Sequence, residues 1–334
     1  MNRGGAVVLA IDDLVAAALA VVERRALGPP GAYRRTAAAD GGIDPYGCAD
    51  AANILYTCGR LPIAAAERAA WVATLGGLQE PRTGLFREST HDPLHTTAHC
   101  IAALELFDAR PPHPLAALAP LRERAALEAF LDALDWRWNP WGESHKGAGL
   151  YAALVLADEA PPGWEDAYFA WLWQRADPAS GLWRAGCIAD GGEGMLFHHL
   201  AGTFHYLFNH EHRRRPLRYP AALVDTCLRI AADELFPPLG RTVGFAELDW
   251  VYCLSRAVRQ SGHRAAEAGA ALRAFADRYV EFLRHLDHLG DPGFNDLHQL
   301  FGALCALAAL QQAFPGALRS NPPLRLVLDR RPFV

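Results

Sequence analysis

The sequence predicts an all-α fold, an (α/α)6 toroid of six helical hairpins, on three observations. First, Ala- and Leu-rich apolar segments start near Tyr46, His95, Lys146, His198, Glu247 and Asp296, with successive gaps of 49, 51, 52, 49 and 49 residues. A period of that length holds one helical hairpin per copy. Second, two kinds of helix alternate. The helix before each start is amphipathic, as in "LRERAALEAFLDAL" and "HRAAEAGAALRAFADRYVEFLRHL". Such a helix packs one face and solvates the other. The helix after each start is apolar nearly all round, which marks burial on both faces. Third, strand signals are few. An inner ring of six buried helices inside an outer ring of six amphipathic ones satisfies all three. Closing the ring also removes the ends that an open solenoid must cap. One domain then spans 1–334, with 315–334 as a non-helical strap.

The first hairpin ends in "GGIDPYGCADAANILYTCG", with Asp44 ahead of the helix as an ordinary cap. The second runs through "WVATLGGLQEPRTGLFREST" into "HTTAHCIAALELF". The third is "FLDALDWRWNPWGESHKGAGLYAALVLA". The fourth repeats the second, as "FAWLWQRADPASGLWRAGCI" and then "HHLAGTFHYLF". Both have a helix end, a polar turn, then Gly-Leu-aromatic-Arg. The fifth is "ELFPPLGRTVGFAELDWVYCLSRAV" and the sixth "FLRHLDHLGDPGFNDLHQLFGALCALAAL". The final "NPPLRLVLDRRPFV" lacks helical period and carries three prolines, which suits a strap or an oligomer contact.

Composition narrows the function. The chain has 334 residues, 51% hydrophobic and 21% charged, and a net charge of −5. That is globular composition with length for a large core. An acidic balance argues against a nucleic-acid partner, which favours a basic face. Asp12 and Asp13 interrupt the apolar N-terminal stretch, so it does not read as a targeting segment. No run of about 18 uncharged apolar residues predicts a membrane span. The seven cysteines lack paired spacing; Cys48, Cys58, Cys100, Cys253 and Cys305 lie in apolar segments and read as buried thiols in a reducing compartment. The cytoplasm is the expected location.

The turns "GLQEPRTGLF" and "WQRADPASGLW", each followed by an Ala-rich helix, resemble those of the α/α-toroid superfamilies. Two branches are in view. One comprises six-hairpin glycosidases, polysaccharide lyases and related sugar epimerases. The other comprises terpenoid cyclases and protein prenyltransferases. The resemblance covers the chain as architecture and does not fix the activity. The prenyltransferase branch implies zinc held by Asp and Cys near one inner-helix start and His near the next, here Asp249 and His298. Cys253 departs from that pattern, standing four residues after Asp249 where the branch has two. The acidic D-x-D-D cluster of the cyclases is not present.

In a toroid of this kind the inner helices run parallel and all six N-termini meet at one mouth. Unpaired N–H groups and a partial positive charge favour anions or hydroxyl-rich ligands there. The sequence places Tyr46 and Asp50 at the first start, and His91, His95 and His99 at the second. Glu143, His145 and Lys146 stand at the third, and Glu193, His198 and His199 at the fourth, with His205 two turns deeper. Glu247 and Asp249 fall at the fifth, and Asn295, Asp296 and His298 at the sixth. Asp249 and Asp296 are equally readable as caps. His95 and His99 share a helix face at i, i+4, but no Glu stands between them as it does in a zincin. Lys146 is the single lysine among 32 Lys and Arg residues. A cation at a helix start opposes the dipole, and Gly147 and Gly149 leave room beside it for a ligand or for the chain.

Three classes of function follow. A carbohydrate-active enzyme is the first, acting on a small sugar or an oligosaccharide without a cofactor. Hydrolysis would pair Glu247 or Asp249 with Glu193, Asp50 or Asp296 across the pocket. A lyase or epimerase would use His95, His198 or His298 as base and Lys146 to hold an anionic group. Tyr46, His145, His199, Arg87, Trp141 and Trp250 complete the expected substrate contacts. The second class is an isoprenoid enzyme with Lys146 and Arg87 on a diphosphate and zinc on Asp249 and His298. The third is a non-catalytic binding protein. "NHEHRRRPLRYP" reads as a solvated helix end on the opposite face.

Overall fold

The computed structural model describes residues 8–37, 42–234 and 239–334. It is mostly helical. Among the described residues twelve α-helices follow one another: α1 (Asp12–Arg25), α2 (Pro45–Thr57), α3 (Ala65–Gly76), α4 (Pro93–Glu105), α5 (Arg124–Ala133), α6 (Pro140–Leu156), α7 (Trp164–Arg175), α8 (Leu196–His212), α9 (Pro220–Ala232), α10 (Ala246–Ser261), α11 (Ala265–His285) and α12 (Leu297–Ala313). The two strands, β1 (Leu9–Ala10) and β2 (Leu318–Arg319), are short and pair in parallel, joining the chain's two end regions.

The alternation of helix types has a physical basis in burial. In α11 the buried residues are Ala268, Leu272, Phe275, Ala276, Tyr279, Val280 and Leu283, a single stripe at helical spacing. In α12 burial is nearly continuous from Leu297 to Leu310. The even-numbered helices pack in succession: α2 on α4, α4 on α6, α6 on α8, α8 on α10, α10 on α12, and α12 back on α2. Caps fix where they begin. Asp44 accepts from Gly47 N and Asp92 from Leu94 N, each with Pro in the next position; proline suits a first turn, where its missing N–H is not needed.

The repeated turn is one hydrogen-bonded device used twice. Gly84 N donates to Glu80 O and Gly181 N to Asp177 O, both at 2.8 Å. Thr83 and Ser180 hydroxyls donate to the Glu80 and Asp177 carboxylates at 2.6 Å. Phe86 N then donates to Thr97 Oγ1 and Trp183 N to Thr203 Oγ1, at 2.9 and 3.0 Å. Each turn is thereby tied to the following inner helix. The glycines are required: both have positive φ, and an added Cβ would meet backbone at 2.0 Å at Gly84 and 2.5 Å at Gly181.

Beyond α12 the chain forms β2, one short 3-10 turn (Val327–Asp329) and a buried end. Leu324, Leu326, Val327, Leu328, Arg331, Phe333 and Val334 are all buried. Arg331 donates to Asn53 Oδ1 on α2, and Asn209 on α8 donates to Pro332 O at 2.9 Å. This segment therefore packs against α2 and α8. The seven cysteines are free, and all but Cys187 are buried. No helix among the described residues is long and apolar enough to cross a membrane.

Candidate functional site

On α2, α4 and α12 the caps by Asp44, Asp92 and Asp296 set the depth of the polar side chains. Tyr46 stands in the first turn of α2 and Asp50 one turn deeper on the same face. His95 and His99 repeat that arrangement on α4. His298 is the second residue of α12. Helix α6 starts at Pro140, earlier than the spacing suggested, so His145 and Lys146 lie in its second turn. His205 lies on α8, seven residues after His198 and on the same face.

These elements enclose a cavity of about 160 Å³ lined by His91, His95, Trp141, His145, His205, Phe245, His298, Gln299 and Val334. Three of its imidazoles are held by Nδ1. Tyr46 Oη is hydrogen-bonded to His95 Nδ1. Ser144 Oγ and His205 Nδ1 lie 2.7 Å apart. His298 Nδ1 donates to Asp50 Oδ1 at 3.2 Å. The same Asp50 oxygen accepts from His99 Nε2 at 2.7 Å, while Asp50 Oδ2 has no partner. His145 bridges the rest, its ring 4.3 Å from that of His95 and 4.1 Å from that of His205.

Protons can be placed from these bonds. The Ser144 hydroxyl donates to Trp141 O at 2.8 Å, so His205 must donate its Nδ1–H to Ser144 and its Nε2 carries the lone pair. The Tyr46 hydroxyl engages His95 Nδ1, which leaves Nε2 as the other ring nitrogen of that residue. Burial pushes His91 down to about 4 and His145 down to about 3, with neighbouring imidazoles adding to the effect. His95 and His205 are lowered well below the usual range for the same two reasons. Burial opposes ionisation of Asp50, but the imidazoles of His298 and His99 outweigh it and hold its carboxyl below the ordinary value. At neutral pH His91, His95, His145 and His205 are thus uncharged imidazoles in the wall of the cavity, near one buried carboxylate.

Compared with known protein families, curated proteins and solved structures, the chain gives no significant match.

The remaining expected residues lie elsewhere. Lys146 Nζ is 2.6 Å from Glu143 Oε1 and does not line the cavity. The space beside Gly147 and Gly149 is taken by the chain: a Cβ would come within 2.3 Å of Tyr206 Oη and 3.1 Å of Leu94 O. Those glycines let α6 approach α8 and α4. Glu247 accepts from Thr242 Oγ1 at 2.9 Å and Gly240 N at 3.2 Å, outside the cavity; burial raises its carboxyl to about 7. Asp249 is fully buried with neither oxygen partnered, and burial raises it well above the carboxylate range.

His199 Nδ1 bonds Trp183 O at 3.0 Å, and Trp250 Nε1 donates to Cys227 O at 2.8 Å. His198 is half-buried beside Trp141. Arg87 is half-exposed and sits 3.6 Å from Glu80. Asp296 caps α12 and pairs with Arg35 at 2.8 Å. Glu193 opens a 3-10 turn, and its side chain lies outside the described residues. The zinc set drawn from the resemblance is not assembled: His298 bonds Asp50, and Cys253 Sγ faces Leu200 O at 4.0 Å. His210 is not solvated; it is buried against Phe169 and Trp183. Ser144, Phe245 and Gln299 were missed because nothing in their local sequence marks them.

Proposed function

We propose that the chain is an (α/α)6 toroid whose central cavity transfers protons on a sugar-type substrate, as a lyase or epimerase. The cycle of contacts from α2 round to α12 and back supports the architecture. The observation that carries the reading is the anchoring of His95 and His205, each tied by Nδ1 to a hydroxyl of the neighbouring inner helix. Their Nε2 atoms form no hydrogen bond with described residues. His205 presents a lone pair, and His95 lines the same cavity, so one cavity holds a base and a second imidazole to exchange protons with. A base removes a proton from carbon; an acid returns one to the opposite face, or to a departing oxygen. Trp141 and Phe245 offer apolar surface to a sugar ring.

Hydrolysis is less well supported, because it needs two carboxyl groups flanking the bond and neither Glu247 nor Asp249 lines the cavity. An isoprenoid diphosphate finds no cation there: Lys146 and Arg87 each face a carboxylate outside it.

The test is solvent exchange in D2O, followed by proton NMR over a panel of aldoses, ketoses and uronates. Exchange at one carbon is expected. His205→Gln and His95→Gln should each lower it by roughly 100-fold or more, while Lys146→Met and Lys146→Arg retain it. Full exchange in both histidine variants would remove the pair from the reaction.

A further inference from the structure

We propose that Asp50, His99 and His298 bind one divalent first-row transition-metal ion of the zinc class. The three side chains come from adjacent inner helices, α2, α4 and α12, and all are buried. One ligand atom from each lies within 4.8 Å of the others. The hydrogen bonding is lopsided: two imidazole N–H groups crowd Asp50 Oδ1 at 2.7 and 3.2 Å, while the equally buried Oδ2 has nothing. A cation replacing those two protons engages both nitrogens and the carboxylate together. Bonds of about 2.0–2.1 Å in a tetrahedral site put ligand atoms roughly 3.3 Å apart; the two N···O distances are 2.7 and 3.2 Å, and all three atoms lie within 4.8 Å of one another. Two imidazoles and a carboxylate suit zinc and its neighbours in the first row.

His298 also lines the cavity, so the ion's site adjoins it through that residue. His99 Nδ1 has no partner. Ligating histidines ordinarily have one, and its loss weakens binding by about 10–100-fold, so affinity is moderate. The ion's binding stands on this geometry alone; its role rests on the proton-transfer reading. That reaction leaves negative charge on the substrate, and no Lys or Arg lines the cavity to meet it. A bound divalent ion supplies that charge, and His95 and His205 remain to exchange protons.

The experiment strips the purified full chain with a chelator and titrates it with Zn2+ and Co2+ alone. One equivalent is expected, with cobalt absorption bands of nitrogen and oxygen ligands and no thiolate band. Asp50→Asn and His99→Gln should lose the equivalent, and His285→Ala on exposed α11 should keep it. Circular dichroism melts report whether the variants fold. If they do not, X-ray absorption of the zinc-loaded wild type decides: two imidazoles support the site, three or more overturn it. No equivalent, or one that survives both substitutions, also overturns it. Exchange that proceeds unchanged in stripped protein overturns the ion's role and leaves the proton-transfer reading standing. Stoichiometric metal with no exchange on any substrate supports the site and overturns that reading.

Discussion

Glu247 shows how a residue type can be legible while its role is not. The spacing marked it as a polar group at an inner-helix start, but its direction depends on which neighbours pack round α10. Thr242 and Gly240 take one oxygen, and the other is buried without a partner. Its carboxyl is raised from 4.5 to about 7. A group raised in the folded state contributes stability below its unfolded value and loses that contribution as pH climbs through the folded one. The wild type is therefore penalised above pH 7, by roughly 3 kcal/mol at about 1.4 kcal/mol per unit. Glu247→Gln escapes the penalty, because a neutral amide costs less to bury. Its melting temperature should exceed that of the wild type at pH 8, and the gap should close by about pH 4.5. A gap independent of pH would show that the carboxyl is not perturbed. The histidines were better signposted, because several imidazoles at successive helix starts are hard to explain singly. Ser144 was not, and Tyr46 was marked as a substrate contact and not as the partner of His95, since a hydroxyl's partner is set by the facing helix.

At the scale of elements, helix existence was legible and helix starts were less so. Apolar runs end where composition changes, yet the start of α6 is fixed by Pro140, six residues before Lys146. The Gly-Leu-aromatic turn was legible as a repeat, but its reason lies in tertiary contact. Gly181 has φ of +73°, and a Cβ there would sit 2.5 Å from Leu223 N on α9. Gly186 has φ of +83° in the same loop, with nothing within 4 Å. The two separate backbone strain from collision. Gly186→Ala should cost only strain, about 1 kcal/mol, whereas Gly181→Ala adds a backbone clash and should cost roughly 2–3 kcal/mol. Urea unfolding of the two variants measures the difference. Equal losses would mean that the turn relaxes away from α9, and that the repeat is held by its own hydrogen bonds.

For the whole molecule, the period of about fifty residues marked the succession of apolar helices, α2, α4, α6, α8, α10 and α12, but could not reveal what fills the space between them. That space holds the C-terminal segment, with Phe333 against the His95 ring at 5.0 Å, and an uncharged imidazole cluster of His91, His95, His145 and His205, contributed by α4 with the residues just before it, α6 and α8. Such a cluster couples the molecule to pH as a unit. His91 and His145 titrate in the fold at about 4 and about 3, and His95 and His205 well below the ordinary 6.5. A depressed histidine contributes stability that is complete above its unfolded value and is lost as pH falls toward the folded one. Glu247 and Asp249 act in the opposite sense, gaining as pH falls. Between pH 6.5 and 5 these four imidazoles, with His99, His198, His199, His210 and His212 lowered as well, outnumber the raised carboxyls of Asp44, Glu247 and Asp249, so the imidazoles dominate. Urea midpoints should therefore drop steadily below pH 6.5, where a protein limited by its carboxylates would hold to about pH 5. His145→Gln removes one of the four protons and should flatten the fall. A flat profile down to pH 5 in the wild type would mean that water enters the cavity freely enough to charge these rings within the fold, and that the cluster does not bind α4, α6 and α8 into one acid-labile unit.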